Sequence, residues 1–74
     1  MKTEKGIEVP DDLAAVLDGD VEVLCIFQAM RPSCQREYVQ WVTEAKEATR
    51  ARRLLGLADR IREYGARHPE RAKA

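Results

Sequence analysis

Four apolar side chains between residues 38 and 45 fix much of what this chain can become. Tyr38, Trp41, Val42 and Ala45 stand at i, i+3, i+4 and i+7 in PSCQREYVQWVTEAK, which on a 3.6-residue period is one stripe along a helix. Arg36, Glu37, Gln40, Thr43 and Glu44 fall on its other sides. Pro32 cannot continue a preceding helix, and the Ser33 hydroxyl can accept from an orphan backbone N–H, so this helix is expected to start near Ser33. The single tryptophan of the 74 residues is expected to anchor the core. A chain of this size buries only about 60% of its unfolded surface, so each large apolar side chain carries weight.

On either side the pattern is again helical. Residues 1–9 mix charge with little apolar content and read as a flexible lead-in. Pro10, Asp11 and Asp12 suit a helix start, and Leu13, Val16 and Leu17 form a short stripe before Asp18-Gly19-Asp20 breaks it. This predicts a first helix near Asp12–Asp18. Asp20 is placed to cap a second helix, with Val23 or Leu24, Phe27 and Met30 inward and Val21 and Ile26 flanking. The β-branched run VEVLCIF is also compatible with a strand, but no second strand is evident to pair with it. The helix should end before Arg31-Pro32, since a residue preceding proline avoids the α region.

Lys46 to Thr49 reads as a connection, with Thr49 capping a last helix whose face holds Ala51, Leu54, Leu55, Ala58, Ile61 and Gly65. Leu57 and Tyr64 fall toward its edge. Gly56, costly in mid-helix, suggests close approach of another helix. The helix is expected to fray over Gly65 to His68 and to end at Pro69, leaving residues 69–74 as a disordered tail. The prediction is an all-α bundle of about four helices with short loops, a single domain over residues 10–68. Its expected core is Leu13, Leu17, Leu24, Phe27, Tyr38, Trp41, Val42, Ala45, Leu54, Leu55, Ala58 and Ile61.

Charge is balanced overall but not along the chain. Residues 1–30 carry two lysines against seven acids, whereas residues 50–74 carry eight basic residues against three acids. The simpler consequence is pairing of the two ends within the fold; the other is a pair of oppositely charged faces for partners. Cys25 and Cys34 lack the spacing of a zinc site. Cys25 is expected in or beside the core. Cys34, in the first turn of its helix, is the better placed for reactivity. His68 has no nucleophile, second acid or metal-ligand partner in view. The acidic pairs lack calcium-loop spacing. Neither a catalytic residue nor a cofactor or metal site is therefore assigned. No apolar run approaches the roughly 18 to 20 residues that span a bilayer, MKTEKG lacks a signal-peptide apolar region, and the expected location is the cytoplasm.

The residues best suited to contact a partner are Thr49, Arg50, Arg52 and Arg53, with Arg36 and Lys46 nearby. Several guanidinium forks at a helix start suit a carboxylate or phosphate, unless an acidic segment of the chain itself neutralises them. Glu37, Glu44 and Lys46 form a second exposed group, more simply read as solvated helix residues. Two functions follow: a non-enzymatic module docking an acidic protein partner, or a helical domain laying its Arg-rich last helix along nucleic acid. The neutral net charge, and the acids Asp59 and Glu63 within the basic helix, favour the first. Self-association remains open.

FQAMRPSCQREYVQWVTEAK followed by ATRARR resembles the YdeI/OmpD-associated, or bacteriocin-protection, family. Phe27, Pro32, Ser33, Arg36, Glu37, Tyr38, Trp41, Val42, Glu44, Ala45, Lys46, Thr49, Arg50 and Arg53 carry the resemblance. VPDDLAAVL at Val9 to Leu17 looks like the family's first helix, so the resemblance extends over roughly Val9 to Ile61. It implies a small all-helical domain, alone or attached to others, and an association with bacteriocin or envelope-stress protection. No catalytic residue comes with it. One departure is visible: only Glu47 and Ala48 separate Lys46 from Thr49, a shorter connection than the family's, which bears on the angle between the last two helices.

Overall fold

Helix starts in this chain are set one at a time by local chemistry. The computed structural model describes residues 1–68 and holds four helices: α1 (Asp11–Asp18), α2 (Val21–Ala29), α3 (Pro32–Thr43) and α4 (Glu47–Arg67). This is the all-α bundle that the periodicity predicts, and VEVLCIF is helix. The predicted tail at 69–74 lies outside the described residues. Asp20 caps α2 as expected, its carboxylate accepting from the N–H groups of Glu22 (3.1 Å) and Val23 (3.3 Å). At α3, Pro32 occupies the first turn, where its missing N–H costs nothing, and no side chain caps the helix, so Ser33 lacks the predicted role. At α4, Lys46 is the cap position and Glu47 the first helical residue. Thr49 is therefore an exposed first-turn residue and not a cap. Glu47 carries its acid at the positive end of the helix dipole, which favours the earlier start.

The residues before Pro10 are not a loose lead-in. They double back on themselves: Val9 N–H donates to the Met1 carbonyl (2.6 Å), Thr3 N–H to Ile7 (2.8 Å) and Gly6 N–H to Thr3 (2.9 Å), with an antiparallel bridge between Lys2 and Glu8. Gly6 makes the reversal at φ +86°, a conformation that side-chain-bearing residues rarely adopt. Thr3, Ile7 and Val9 are buried as a result. Alternating charge along a turn hid these inward positions from a reading based on helical period.

The core collects Val9, Leu13, Ala14, Leu17, Val23, Ile26, Phe27, Met30, Leu57 and Ile61, with α4 lying across α2, α1 and α3. On α2 the predicted stripe holds: Val23, Phe27 and Met30 are fully buried, Ile26 joins them, Leu24 is half-buried and Val21 exposed. The predicted α4 stripe is rotated. On α4, Leu57 is fully buried and Leu55 is 85% exposed, so Leu55 leaves the predicted core and Leu57 enters it. Ala51 is exposed too, and the helix keeps its form through Gly65 to Arg67 without fraying. The sets 51/54/55/58 and 54/57/58/61 have the same spacing, so period alone cannot choose between them; the neighbouring helices do. Of the other predicted core residues, Leu13, Leu17, Phe27, Val42 and Ile61 are buried, whereas Tyr38, Trp41, Leu54 and Ala58 pack half-buried against the core and Ala45 is half-buried.

The predicted close approach falls at Gly65 and not Gly56. A Cβ at Gly65 would lie 2.8 Å from Ile26 Cδ1 and 3.2 Å from Cγ1, whereas one at Gly56 would meet nothing within 4 Å. The acidic and basic ends of the chain pair across the fold. Asp12 on α1 receives Arg50 of α4 through Nε (2.6 Å) and Nη2 (2.9 Å), and Arg62 reaches both Asp20 and Glu22. The Arg50 guanidinium, helped by the Leu13 N–H, holds the Asp12 carboxyl below the usual carboxylate range.

Two outcomes are expected in urea denaturation. Gly56→Ala should stabilise by about 1 kcal/mol through helix propensity alone, whereas Gly65→Ala should lose about 1 kcal/mol because crowding of Ile26 outweighs that gain. Equal effects at the two glycines would contradict the packing described. The Asp12 contribution has a definite pH sign. The folded-state pKa is depressed, so this stability is complete above the unfolded value of about 3.9 and is lost as pH falls through the folded one. Asp12→Asn should accordingly be less stable than the parent at pH 7 and approach it in acid; a gap that does not narrow would refute the pairing.

Candidate functional site

The α3 stripe does not run wholly inward. Gln35 and Val42 are its buried positions, which turns Tyr38 and Trp41 toward one flank, where α4 passes. Cys34 and Tyr38 lie near Tyr64, and Trp41 near Arg53 and Arg60, so α3 and α4 run antiparallel. Between them opens a groove of about 370 Å³ lined by Cys34, Glu37, Tyr38, Trp41, Arg60 and Tyr64. Its α3 wall is again an i, i+3, i+4, i+7 set. A second hollow of about 350 Å³ continues it past Tyr38, Arg60 and Tyr64 to Glu63, Arg67 and His68.

Trp41 lines this groove, packed half-buried against the core on one side and met by cations on the other. The guanidinium carbons of Arg60 and Arg53 lie 4.6 and 5.0 Å from its ring centre, within the range where a guanidinium gains from an indole face. Arg53 is fixed further by donating to the Trp41 carbonyl (2.6 Å) and to Glu44 (3.3 Å). Tyr38 meets Phe27 edge to face at 6.3 Å between ring centres, which ties the groove to the core. Burial pushes the Tyr38 phenol above the usual tyrosine range, against the opposing charge of Arg60. Tyr64 and His68 stack with ring centres 4.6 Å apart. Among the described residues no group of three or more His, Cys, Asp or Glu is arranged to hold a metal, and no helix is long and apolar enough to cross a membrane. Both cysteines are free thiols and half-buried.

The predicted partner-binding residues do not converge. Arg50 is committed to Asp12, and Arg53 to Trp41 and Glu44. Arg36, Lys46, Thr49 and Arg52 are exposed but line neither hollow. Only Arg53 borders the groove. Arg60, Tyr64, Glu63 and Arg67 were not singled out by the sequence. The signal was present in the spacing: Arg53, Arg60 and Arg67 recur every seven residues, two helical turns, so that they share one edge of α4.

A family model described as bacteriocin-protection, YdeI or OmpD-associated matches residues 6–64. No curated protein and no solved structure gives a significant match. The match takes in all of α1, α2 and α3 and nearly all of α4, both walls of the groove included. This chain belongs to the YdeI/OmpD-associated, bacteriocin-protection family.

Proposed function

We propose that this chain is a non-enzymatic, cytoplasmic protein-interaction domain that docks a protein partner through the groove between α3 and α4, contributing to bacteriocin or envelope-stress protection. The observation that carries this reading is the makeup of the groove. Three aromatic rings, Tyr38, Trp41 and Tyr64, stand half-buried beside Arg60. Tryptophan, tyrosine and arginine are the side chains that dominate binding energy at protein interfaces. Aromatic surface left partly open in a domain with so little core to spare is better explained by a partner than by folding.

Of the basic residues that the sequence suggests for an acidic partner, only Arg36, Lys46 and Arg52 are left to meet one, since Arg50 and Arg53 already answer carboxylates of the chain. The same internal pairing weakens the nucleic-acid alternative. Arg62 and Arg67 also face acids, so α4 does not offer the continuous positive track that a phosphate backbone requires.

The test uses Glu37→Ala/Arg60→Ala, which alters the groove at exposed positions and leaves the core alone. The tagged parent should retain a protein from lysate of its own cells, and the double variant should bind it at least about tenfold more weakly with unchanged circular dichroism. Arg36→Ala/Arg52→Ala, away from the groove, should bind as the parent does. Retention indifferent to the groove variant, or a duplex DNA bound with steep salt dependence, would overturn the proposal.

A further inference from the structure

The free charges of the groove narrow the choice of partner. Most charged groups around it are already matched within the chain: Arg53 faces Glu44 at 3.3 Å and Arg67 faces Glu63 at 2.6 Å. Two lining groups have no ion pair among the described residues. One is the Glu37 carboxylate of α3. The other is the Arg60 guanidinium of α4, which rests on the Trp41 ring. They are exposed, of opposite sign, and on opposite walls of the same aromatic groove.

A face bearing one anion and one cation that no opposite charge of the described residues pairs fits neither an acidic nor a basic partner especially well. It is complementary to itself. In a two-fold interface the same patch is used twice, so residue i of one protomer meets residue j of its partner and j meets i. We infer that the partner is a second copy of this chain, docked about a two-fold axis so that Glu37 of each protomer meets Arg60 of the other. The inference rests on the reading of the groove as a docking surface.

The surrounding geometry suits that arrangement. Helices α3 and α4 form an antiparallel pair joined by the short Glu44–Lys46 link, and two such pairs placed face to face make a four-helix bundle. The ridge of α3 from one protomer would enter the groove of the other, covering Tyr38, Trp41 and Tyr64 at the centre. The two Glu37–Arg60 pairs would lie toward the rim, where charge sets register and selects the partner. The neutral net charge of the chain puts no long-range repulsion in the way of two copies meeting.

Charge reversal with mixing tests this directly. Sedimentation velocity of the wild type, from micromolar to about millimolar concentration, should show a reversible monomer–dimer equilibrium. E37R sets arginine against arginine across the axis, and R60E sets glutamate against glutamate, so each alone should dimerise at least about tenfold more weakly. An equimolar mixture of E37R and R60E restores both pairs and should return to within about tenfold of the wild-type affinity as a heterodimer. A pairing of Glu37 with Arg60 inside one chain could not produce that rescue. A wild type that stays monomeric throughout, a dimer indifferent to both reversals, or a mixture that stays monomeric would each overturn the inference. A monomeric wild type whose groove still retains a different protein, lost in the Glu37→Ala/Arg60→Ala variant, discards the second copy while leaving the docking surface standing.

Discussion

The side-chain amide of Gln35 is the contact on which the rest of this structure depends. It is fully buried and sits where three parts of the chain meet. Its Nε2 donates to the Phe27 carbonyl (2.7 Å), which also accepts from the Met30 N–H (3.1 Å), and shares its other hydrogen between the carbonyls of Gln28 and Met30 (3.3 Å each), acceptors at the end of α2 and its cap where the helix itself supplies too few donors. Its Oε1 accepts from the Thr3 hydroxyl at 2.8 Å, and that hydroxyl oxygen accepts from the Ile7 N–H at 3.0 Å. The carbonyls on one side and the hydroxyl on the other leave one sensible orientation of the amide. Lys5, donating to Met30 O at 2.6 Å, and Gln28, accepting from Glu4 N–H at 3.0 Å, close the same corner from the surface. No buried side-chain nitrogen or oxygen is left unsatisfied among the described residues.

Energetically such a corner matters because the domain has so little else. A chain of this length holds a net stability on the order of 4 to 11 kcal/mol, and each buried polar group left unpaired costs about 1 to 3 kcal/mol. A satisfied amide adds modestly to that total, whereas a vacated one would take much of it away. The consequence reaches the groove. Gln35 fixes the rotation of α3 about its own axis, and Cys34, Glu37, Tyr38 and Trp41 follow from that rotation at helical spacing. The ion pairs of Arg50 and Arg62 hold α4 against α1 and α2 from the other side, which sets the opposite wall. The acidic first part and basic last part of the chain thus serve to place the two walls.

How much of this was legible in the sequence depends on which rule decides each position. Helix number and type followed from the 3.6-residue period, and the Asp20 cap and the Pro32 boundary followed from local backbone chemistry. Rotation did not follow. On α3, Tyr38, Trp41, Val42 and Ala45 have the same spacing as Gln35, Tyr38, Val39 and Val42. A reader counting apolar residues takes the first set because Gln35 is polar, and the structure takes the second because Gln35 has partners that lie distant in sequence. Leu55 and Leu57 present the same ambiguity on α4, resolved by contact with α2. The turn at Met1 to Val9 was missed because Thr3 and Ile7 earn burial through Gln35 and not through any period of their own. The groove was half legible: Tyr38 and Trp41 stand out in the sequence but read as core residues, and the Arg53, Arg60, Arg67 spacing becomes informative only once α4 is known to run through Arg67 and to pass beside Trp41.

A thermodynamic double-mutant cycle between Thr3 and Gln35, built from Thr3→Val, Gln35→Leu and the double variant in urea denaturation, tests the central claim most directly. If the buried amide unites the first turn with α2 and α3, the two losses should be strongly non-additive. The double variant should recover about 1 to 3 kcal/mol relative to their sum, because removing both partners leaves fewer groups stranded. Losses that add to within about 0.5 kcal/mol would show that the two residues stabilise the domain independently, and the account of this corner would be wrong.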